Sequence, residues 1–331
     1  MKEILNRLFE HQTLTRDEAR SILTQIAQAT HNPSQVAAFL TVYLMRAITV
    51  EELAGFRDAM FELCIPVDLQ AYDPIDLCGT GGDGKNTFNI STLSAFVAAG
   101  AGVKVAKHGN YGVSSVSGSS NVMEYFGAKF SSDYDQLRRQ MDAAGLCFLH
   151  APLFHPAMKN VGPIRRELGV KTFFNMLGPM VNPASPQKQL TGVFNLELAR
   201  LYFYLYQQSG KRFTILHSLD GYDEMSLTGP CKSFDNEGET LLEPAHLGLH
   251  RWKSSDLFGG DTVAEAAAIF MQVLKNEGTQ AQTEAVVANS AMAIRTARPG
   301  TSYVEAVAAA RESLESGAAF SSFQTYLTLA Q

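Results

Sequence analysis

The chain has 331 residues, 46% of them hydrophobic and 18% charged, with a formal net charge of -6. That length is ample for two domains with a sizeable buried core, and the composition is that of a globular protein. The acidic balance argues against a nucleic-acid surface, which is usually basic, so any phosphate recognition has to come from local donors and a metal ion. The opening residues contain no signal-peptide hydrophobic region, and no run approaches the roughly 18 apolar residues of a membrane span. Cys64, Cys78, Cys147 and Cys231 lie far apart with no C-x-x-C, the usage expected of reduced thiols in the cytoplasm and not of a disulfide framework or zinc site.

Residues 1–70 carry helical periodicity only. Ile4, Leu5, Leu8 and Phe9 mark a first apolar face. Thr15 followed by Glu18 is a capping box ahead of Ala19, Ile22, Leu23 and Ile26. Asn32-Pro33 joins an N-cap to a proline in the first turn, ahead of Val36, Phe39, Leu40 and Tyr43. Thr49 with Glu52 is a second capping box, before Leu53, Phe56, Met60 and Leu63. Four amphipathic helices on short links predict a small all-helical N-terminal domain over 1–70, with its boundary between Pro66 and Pro74.

From Ile75 onward strands and helices alternate, which predicts a larger α/β domain over 71–331 with a mostly parallel central sheet. It opens with Ile75-Asp76-Leu77-Cys78, the end of a short buried strand, and then Gly79-Thr80-Gly81-Gly82-Asp83-Gly84-Lys85-Asn86-Thr87. A helix starting near Asn89-Ile90-Ser91-Thr92 continues through a run of small residues. Strand, glycine turn and helix N-terminus together make an anion site, because backbone N–H groups and the helix dipole converge where side chains are too small to intrude. The glycines spell G-x-G-x-x-G, yet no Asp or Glu lies between Asp83 and Glu124, where a dinucleotide fold needs an acid about 20 residues on. They also nearly fit G-x-x-x-x-G-K-[ST], but Asn86 stands where a P-loop places a hydroxyl on Mg²⁺. What remains is a phosphate-binding loop of neither type.

A second strand over 103–106 leads into Lys107-His108-Gly109-Asn110, followed by Ser114-Ser115-Val116-Ser117-Gly118-Ser119-Ser120-Asn121 and an apolar helix over 122–126. Beyond it the pattern predicts a strand over 146–150, a loop over 151–156, a helix over 157–168 and a turn over 172–179. A strand over 212–218 delivers Leu219-Asp220-Gly221-Tyr222-Asp223-Glu224. Short strands fill 233–249, Thr262 and Glu265 cap a late helix, and two or three further helices complete the domain.

On residue chemistry alone several of these positions stay open. Asp223-Glu224, just after a strand, is either a solvated acidic turn or a carboxylate pair that recruits a hard cation such as Mg²⁺. Lys107 beside a glycine at a strand end suits a phosphate as a point charge, while His108 alone reads as a structural hydrogen-bonding residue. Of Arg165 and Arg166, one can face solvent and pair with Glu167, and the planar guanidinium of the other suits a carboxylate.

In order and spacing, G-T-G-G-D at 79–83, N-I-S-T at 89–92, K-H-G-N at 107–110 and S-S-x-S-G-S at 114–119 resemble the anthranilate phosphoribosyltransferase family, within the nucleoside phosphorylase/phosphoribosyltransferase fold superfamily. The run 155–169 and Asn175-Met176-Leu177-Gly178-Pro179 extend the likeness over nearly the whole chain. The resemblance implies transfer of the phosphoribosyl group of 5-phosphoribosyl 1-pyrophosphate to the amino group of anthranilate, in tryptophan biosynthesis. It implies donor binding by Gly79, Gly82, Asp83, Thr87, Asn89, Ile90, Ser91, Thr92, Lys107, Ser115 and Ser119, and acceptor binding by Gly79, His108, Asn110, Arg165 and Gly178. Mg²⁺, two ions with the donor, is implied at Ser91, Asp223 and Glu224. No general acid or base is expected, with His108 and Asn110 positioning the reactants. The segment 160–190 is expected to bridge back to the helical domain, with the donor site between the domains and a homodimer formed through the helical one. No nucleic-acid or membrane partner is expected.

The chain departs from the family pattern in Tyr111, where Arg is frequent, and in Ser120-Asn121, where Ala-Asp is frequent; both bear on fine acceptor geometry. A nucleoside phosphorylase of the same superfamily is the nearest rival, but it would not account for K-H-G-N together with Arg165. A non-catalytic relative that binds nucleic acid is the other, and the net negative charge opposes it.

Overall fold

The computed structural model describes residues 1–112 and 116–331. In chain order its helices are α1 (Lys2–Phe9), α2 (Arg16–Ala27), α3 (Pro33–Met45), α4 (Val50–Glu62), α5 (Ile90–Gly100), α6 (Ser119–Tyr125), α7 (Tyr134–Ala144), α8 (Ala151–Phe154), α9 (Gly162–Leu168), α10 (Phe174–Leu177), α11 (Leu196–Gln207), α12 (Val263–Leu274), α13 (Gln280–Ala297), α14 (Tyr303–Glu315) and α15 (Ala318–Leu329). The strands are β1 (Ile75–Leu77), β2 (Val105–Gly109), β3 (Leu146–His150), β4 (Lys188–Gly192), β5 (Arg212–Ser218), β6 (Cys231–Asp235) and β7 (Gly238–Leu242). The residues group into two compact units, one of 1–66 with 151–183 and one of 67–150 with 184–331.

The first unit is all helical. Thr15 and Thr49 each accept from the backbone N–H three residues on, with Glu18 and Glu52 reaching back, and Asn32 caps α3 ahead of Pro33. These are the start signals that the sequence carries. The core stacks Phe56 on Phe173 at a centroid distance of 4.4 Å, with Phe39 and Tyr43 edge-on to both. Beside it Glu52, fully buried, does more than close a capping box. Its carboxylate accepts from the Leu14 and Thr49 N–H groups, the Tyr43 hydroxyl and the two terminal nitrogens of the Arg46 guanidinium. The single helix expected over 157–168 is instead a 3-10 turn, Pro156–Lys159, followed by α9. Pro163 lacks the N–H that a continuous helix would need there, so it sits in the first turn of a new one. The loop expected over 151–156 begins with the short helix α8.

The second unit is built on one sheet. Among the described residues its strand order is β3-β2-β1-β4-β5-β6-β7, with the first five parallel and the last two antiparallel. A small helical domain and a larger α/β domain with a mostly parallel sheet are therefore the architecture of this chain. Helix α5, whose small residues allow close approach, packs on α13, α14 and α15. Phe96 meets Phe270, Phe323 and Tyr326 edge-on in the resulting core. Strand β4 and helix α11 are not among the expected elements, and β2 runs beyond its expected end: Lys107 and His108 lie inside that strand, paired with Phe148 and Leu149 of β3. The antiparallel pair β6-β7 occupies the start of the span expected to hold short strands, and the 3-10 turn Pro244–Leu247 follows it.

Sheet order decides where a site can form. From β1 the chain winds outward through β2 to β3, then returns to the other side of β1 as β4 and continues to β5. The loops leaving the C-terminal ends of β1 and β4 thus diverge, and such a switch point opens a crevice in a parallel sheet.

The buried Glu52 cluster yields a stability test for the first unit. Burial alone would raise the Glu52 pKa, but the hydrogen bonds from Arg46, Leu14 and Thr49 outweigh it and hold the carboxyl below its ordinary value. Removing one partner of such a buried pair costs about 3–5 kcal/mol, so Glu52→Ala should melt well below wild type at neutral pH. Because the folded pKa is lowered, this stabilisation is present above the unfolded value of about 4.3 and is lost as pH falls through the folded one. The melting gap between wild type and Glu52→Ala should therefore shrink in acid; an equal gap at neutral and strongly acidic pH would show that the charge is not what stabilises.

Candidate active site

The crevice at the switch point is lined by the glycine loop after β1. Cys78 N–H donates to the Leu190 carbonyl at 3.1 Å and Thr80 N–H to the Gly192 carbonyl at 2.9 Å, so the loop starts as an extension of the β1-β4 ladder. Asp223 fits against it. The Gly81 N–H donates to the Asp223 carboxylate at 2.7 Å, from a backbone φ of +64° that favours glycine. A Cβ on Gly79 would fall 2.7 Å from the Asp223 carboxylate, and a Cβ on Gly192 would fall 1.5 Å from the Asp223 carbonyl oxygen. At 192 the clash is with backbone and only glycine fits, whereas at 79 a side chain would push the Asp223 carboxylate out of its place.

The loop is fastened at its far end as well. The Asp83 carboxylate accepts the Lys85 N–H at 2.9 Å, and the Lys85 ammonium lies 4.7 Å above the Tyr222 ring. Gly259 N–H donates to the Asn86 carbonyl at 2.8 Å, the Asn86 side chain donates to Gly260 O at 2.8 Å, and Thr87 bridges to Phe258. Asn89, at the N-cap of α5, turns its amide away from the helix and donates to the Ser117 carbonyl at 2.9 Å. The first turn of α5, with Ile90, Ser91 and Thr92, therefore presents backbone N–H groups and the positive end of an eleven-residue helix dipole beside the glycine loop.

Two side chains hold the acidic segment in place. The Asn289 side chain, buried in α13, accepts from Met225 N–H and donates to Met225 O, both at 3.0 Å. The Ser218 hydroxyl donates to the Glu224 carbonyl at 2.7 Å. Asp223 is buried and Glu224 half-buried. Burial, then the neighbouring Asp83, raises the Asp223 pKa to about 7 in spite of the Gly81 N–H. Burial and the Asp223 charge push Glu224 well above the carboxylate range, opposed by Lys107 and by the Ser91 N–H. Lys107, buried in β2, donates to the Leu77 carbonyl at 2.6 Å and reaches the Ser91 hydroxyl at 3.5 Å. Among the described residues no three His, Cys, Asp or Glu side chains already cluster as a metal site, but Asp223 and Glu224, with raised pKa values, offer carboxylate oxygens that a bound cation would neutralise. That fits Mg²⁺, which binds through one or two carboxylates and draws its remaining oxygens from phosphates and water.

The K-H-G-N segment rises from β2 beside this set. The buried Asp76 carboxylate accepts the His108 N–H at 3.0 Å and the Gln189 amide at 3.4 Å. Ser119 Oγ lies 3.2 Å from both the N and O of Asn110, and Asn110 Oδ1 accepts the Tyr111 N–H at 2.8 Å. At the departures from the family pattern, Asn121 accepts from the Gly112 and Gly118 N–H groups, and the Tyr111 hydroxyl donates to Glu124. Ser115 lies outside the described residues.

Gly79, Gly82, Asp83, Thr87, Asn89, Ile90, Ser91, Thr92, Lys107, His108, Asn110, Ser119, Asp223 and Glu224 all belong to the second unit. Arg165 and Gly178 belong to the first. There Arg165 lies with its guanidinium 5.1 Å above the Phe174 ring and donates to Asn175 Oδ1 at 3.3 Å. Arg166 is exposed. Gly178 opens the 3-10 turn Gly178–Met180. Burial lowers the Arg165 pKa, and among the described residues no carboxylate makes an ion pair with it.

Asp76, Gly192 and Asn289 are supporting residues that the sequence reading missed. The signal for Asn289 was available: a lone amide inside an otherwise apolar run of α13 needs a buried partner. Asp76 gave a comparable signal as an acid inside a buried strand.

Two family models match the chain: that of the glycosyl transferase family helical bundle domain over residues 2–64 and that of the glycosyl transferase family a/b domain over residues 71–320. An anthranilate phosphoribosyltransferase of Christiangramia forsetii is 61% identical over 331 residues, covering all of both chains. One from Bacteroides thetaiotaomicron is 56% identical over 329 residues, covering 99% of each. Among solved structures, the anthranilate phosphoribosyltransferase of Thermus thermophilus superposes with a TM-score of 0.91 at 34% identity, over 98% of each chain. The Saccharomyces cerevisiae enzyme in complex with PRPP and Mg superposes at 0.90 with 28% identity, over 98% of this chain and 96% of that one. With a helical bundle, a switch-point crevice and full-length relatives that agree, this chain belongs to the anthranilate phosphoribosyltransferase branch of the glycosyl transferase family.

Proposed function

We propose that the protein transfers the phosphoribosyl group of 5-phosphoribosyl 1-pyrophosphate to the amino group of anthranilate, giving N-(5-phosphoribosyl)anthranilate and pyrophosphate, as a step of tryptophan biosynthesis. The observation that carries this reading is the acid pair Asp223-Glu224 held against a glycine loop and a helix N-terminus at the switch point of the sheet. It is the arrangement that a magnesium diphosphate requires, with donors for phosphate oxygens and carboxylates for the cation. Full-length relatives of this name, and one relative solved in complex with PRPP and Mg, support the same substrates.

In the reaction the C1–O bond to pyrophosphate breaks with its electron pair leaving on oxygen, the amine lone pair forms the N–C1 bond, and the surplus amine proton is lost to solvent. Asp223, Glu224 and Ser91 would hold Mg²⁺, two ions on this reading, which supplies charge neutralisation of the departing pyrophosphate. Gly79, Gly82, Asp83, Thr87, Asn89 and the first turn of α5, Ile90 to Thr92, hold the donor with Lys107, Ser115 and Ser119. Arg165 takes the anthranilate carboxylate, and His108, Asn110, Gly79 and Gly178 complete the acceptor contacts. The chain's contribution is to orient the reactants and to place fixed dipoles where charge develops. On the same reading the protein is a cytoplasmic homodimer joined through its helical unit, where Phe9, Leu44 and Met45 leave apolar side chains exposed. No helix among the described residues is long and apolar enough to cross a membrane.

The direct experiment follows the loss of anthranilate fluorescence on adding 5-phosphoribosyl 1-pyrophosphate and Mg²⁺; no loss at micromolar enzyme would refute the assignment. Replacing Asp223 and Glu224 together by Asn and Gln removes two charges opposite the leaving group, where a single contact can be worth roughly 10² in rate. Turnover should collapse while the melting temperature stays within a few degrees of wild type. Wild-type turnover in that variant would remove the pair from the mechanism.

Acceptor recognition is tested separately. Losing a charge-assisted contact costs roughly 1.5–3 kcal/mol, so Arg165→Ala should raise the KM for anthranilate at least tenfold and leave the donor KM near wild type. A larger effect from Arg166→Ala would show that the carboxylate is held by Arg166 and not by Arg165.

No general base is required, because an aromatic amine is neutral near pH 7 and attacks through its own lone pair. The kcat at saturating substrates and Mg²⁺ should stay nearly flat from about pH 7 to about pH 9. His108→Asn should lower kcat without changing the shape of that profile. An acid limb present in wild type and abolished in His108→Asn would establish His108 as a titrating catalyst.

A further inference from the structure

A half-buried guanidinium is costly to keep unless its charge is answered. Among the described residues no carboxylate of the chain pairs with Arg165. Its neighbours are the face of Phe174 and the side-chain oxygen of Asn175, one N–H of its five-donor fork being used. An aromatic face and an amide oxygen both stabilise the cation without neutralising it. Asn175 is itself fixed, since the same Oδ1 accepts the Thr172 N–H at 3.3 Å at the start of the turn leading into α10. An aspartate would serve that N–H at least as well as asparagine does. It would also fit the same space and bind the guanidinium more strongly. Backbone geometry and packing therefore favour Asp as much as Asn at this position.

We infer that Asn175 is a positioning and specificity residue, whose neutral oxygen orients the Arg165 fork for an incoming carboxylate while leaving its charge uncompensated. This deepens the reading above that Arg165 receives the acceptor carboxylate. An acid at 175 would place an internal carboxylate on the same fork, in competition with that of the substrate at an effective concentration no free ligand matches.

The test is a pair of substitutions with opposite structural consequences. Asn175→Asp preserves the acceptor for Thr172 and should keep or raise the melting temperature, yet it should raise the KM for anthranilate about tenfold or more, the scale of losing a charge-assisted contact. The donor KM and kcat should stay within about twofold of wild type, the pattern of lost ground-state binding. Asn175→Ala removes the orienting oxygen but leaves the cation unpaired, so its KM for anthranilate should rise less than that of Asn175→Asp even though its melting temperature falls. A wild-type anthranilate KM in Asn175→Asp overturns the inference, as does a larger KM effect in Asn175→Ala that follows its loss of stability. Arg165→Ala keeps the two levels apart. If Arg165→Ala leaves the anthranilate KM unchanged, the carboxylate assignment itself fails; if it raises that KM and Asn175→Asp does not, only the role of Asn175 fails.

Discussion

The second unit depends on one close approach, that of the Asp223 backbone to Gly192 at the end of β4. A Cβ at 192 would lie 1.5 Å from the Asp223 carbonyl oxygen, a distance no side chain can share. Because Gly192 also accepts the Thr80 N–H, the same residue anchors the glycine loop and the acidic segment, which come from strands not adjacent in sequence. Asn289 and Ser218 then fasten the segment from the other side. The loop, the α5 N-terminus and the two acids are consequently set by the packing of rigid elements. Preorganisation of this kind is what allows fixed dipoles to act without reorganising when charge develops.

Local signals in the sequence carried most of the fold. Thr15, Asn32, Thr49 and Thr262 begin helices as their capping chemistry requires, and 146–150 and 212–218 are strands over the expected residues. Reading failed where tertiary pairing decides the outcome. Lys188-Gln189-Leu190-Thr191-Gly192 mixes polar and apolar residues and becomes a central strand only because β1 and β5 pair with it on either side. Lys107 and His108 look like loop residues after a strand, yet they complete β2, since the Lys107 ammonium finds the Leu77 carbonyl and the His108 N–H finds Asp76. The helix expected over 157–168 is interrupted at Pro163, whose missing N–H starts a new helix there.

For the candidate site, the motifs identified the residue types but not their support. Gly79, Asp83, Ser91 and Asp223 are legible because their spacing is local or the family motifs name them. Gly192, Asp76 and Asn289 act through the sheet and α13, at separations no local window spans. Tyr111 and Asn121, the two departures, prove to be hydrogen-bonded within their own segment, to Glu124 and to the Gly112 and Gly118 N–H groups. A neutral amide at 121 suffices for that task, because backbone donors ask only for an acceptor oxygen.

The two units show the same electrostatic economy with opposite sign. Asp223 and Glu224 are placed where burial raises their pKa values, helped by Asp83 at Asp223 and by Asp223 at Glu224, with Lys107 opposing the rise at Glu224. Arg165 is placed where burial lowers its pKa, with neutral groups around it. A chain selected for stability alone would pair such charges internally or replace them with apolar groups, since uncompensated burial is unfavourable and well-packed apolar substitutes are often more stable. Contrast Glu52, whose charge is answered by Arg46 and whose pKa falls below the ordinary value. On the proposed function, the same physics separates a charge answered within the chain from charges held open for a ligand: Glu52 keeps Arg46 as its partner, whereas Asp223, Glu224 and Arg165 would each gain a partner from a bound substrate or cation.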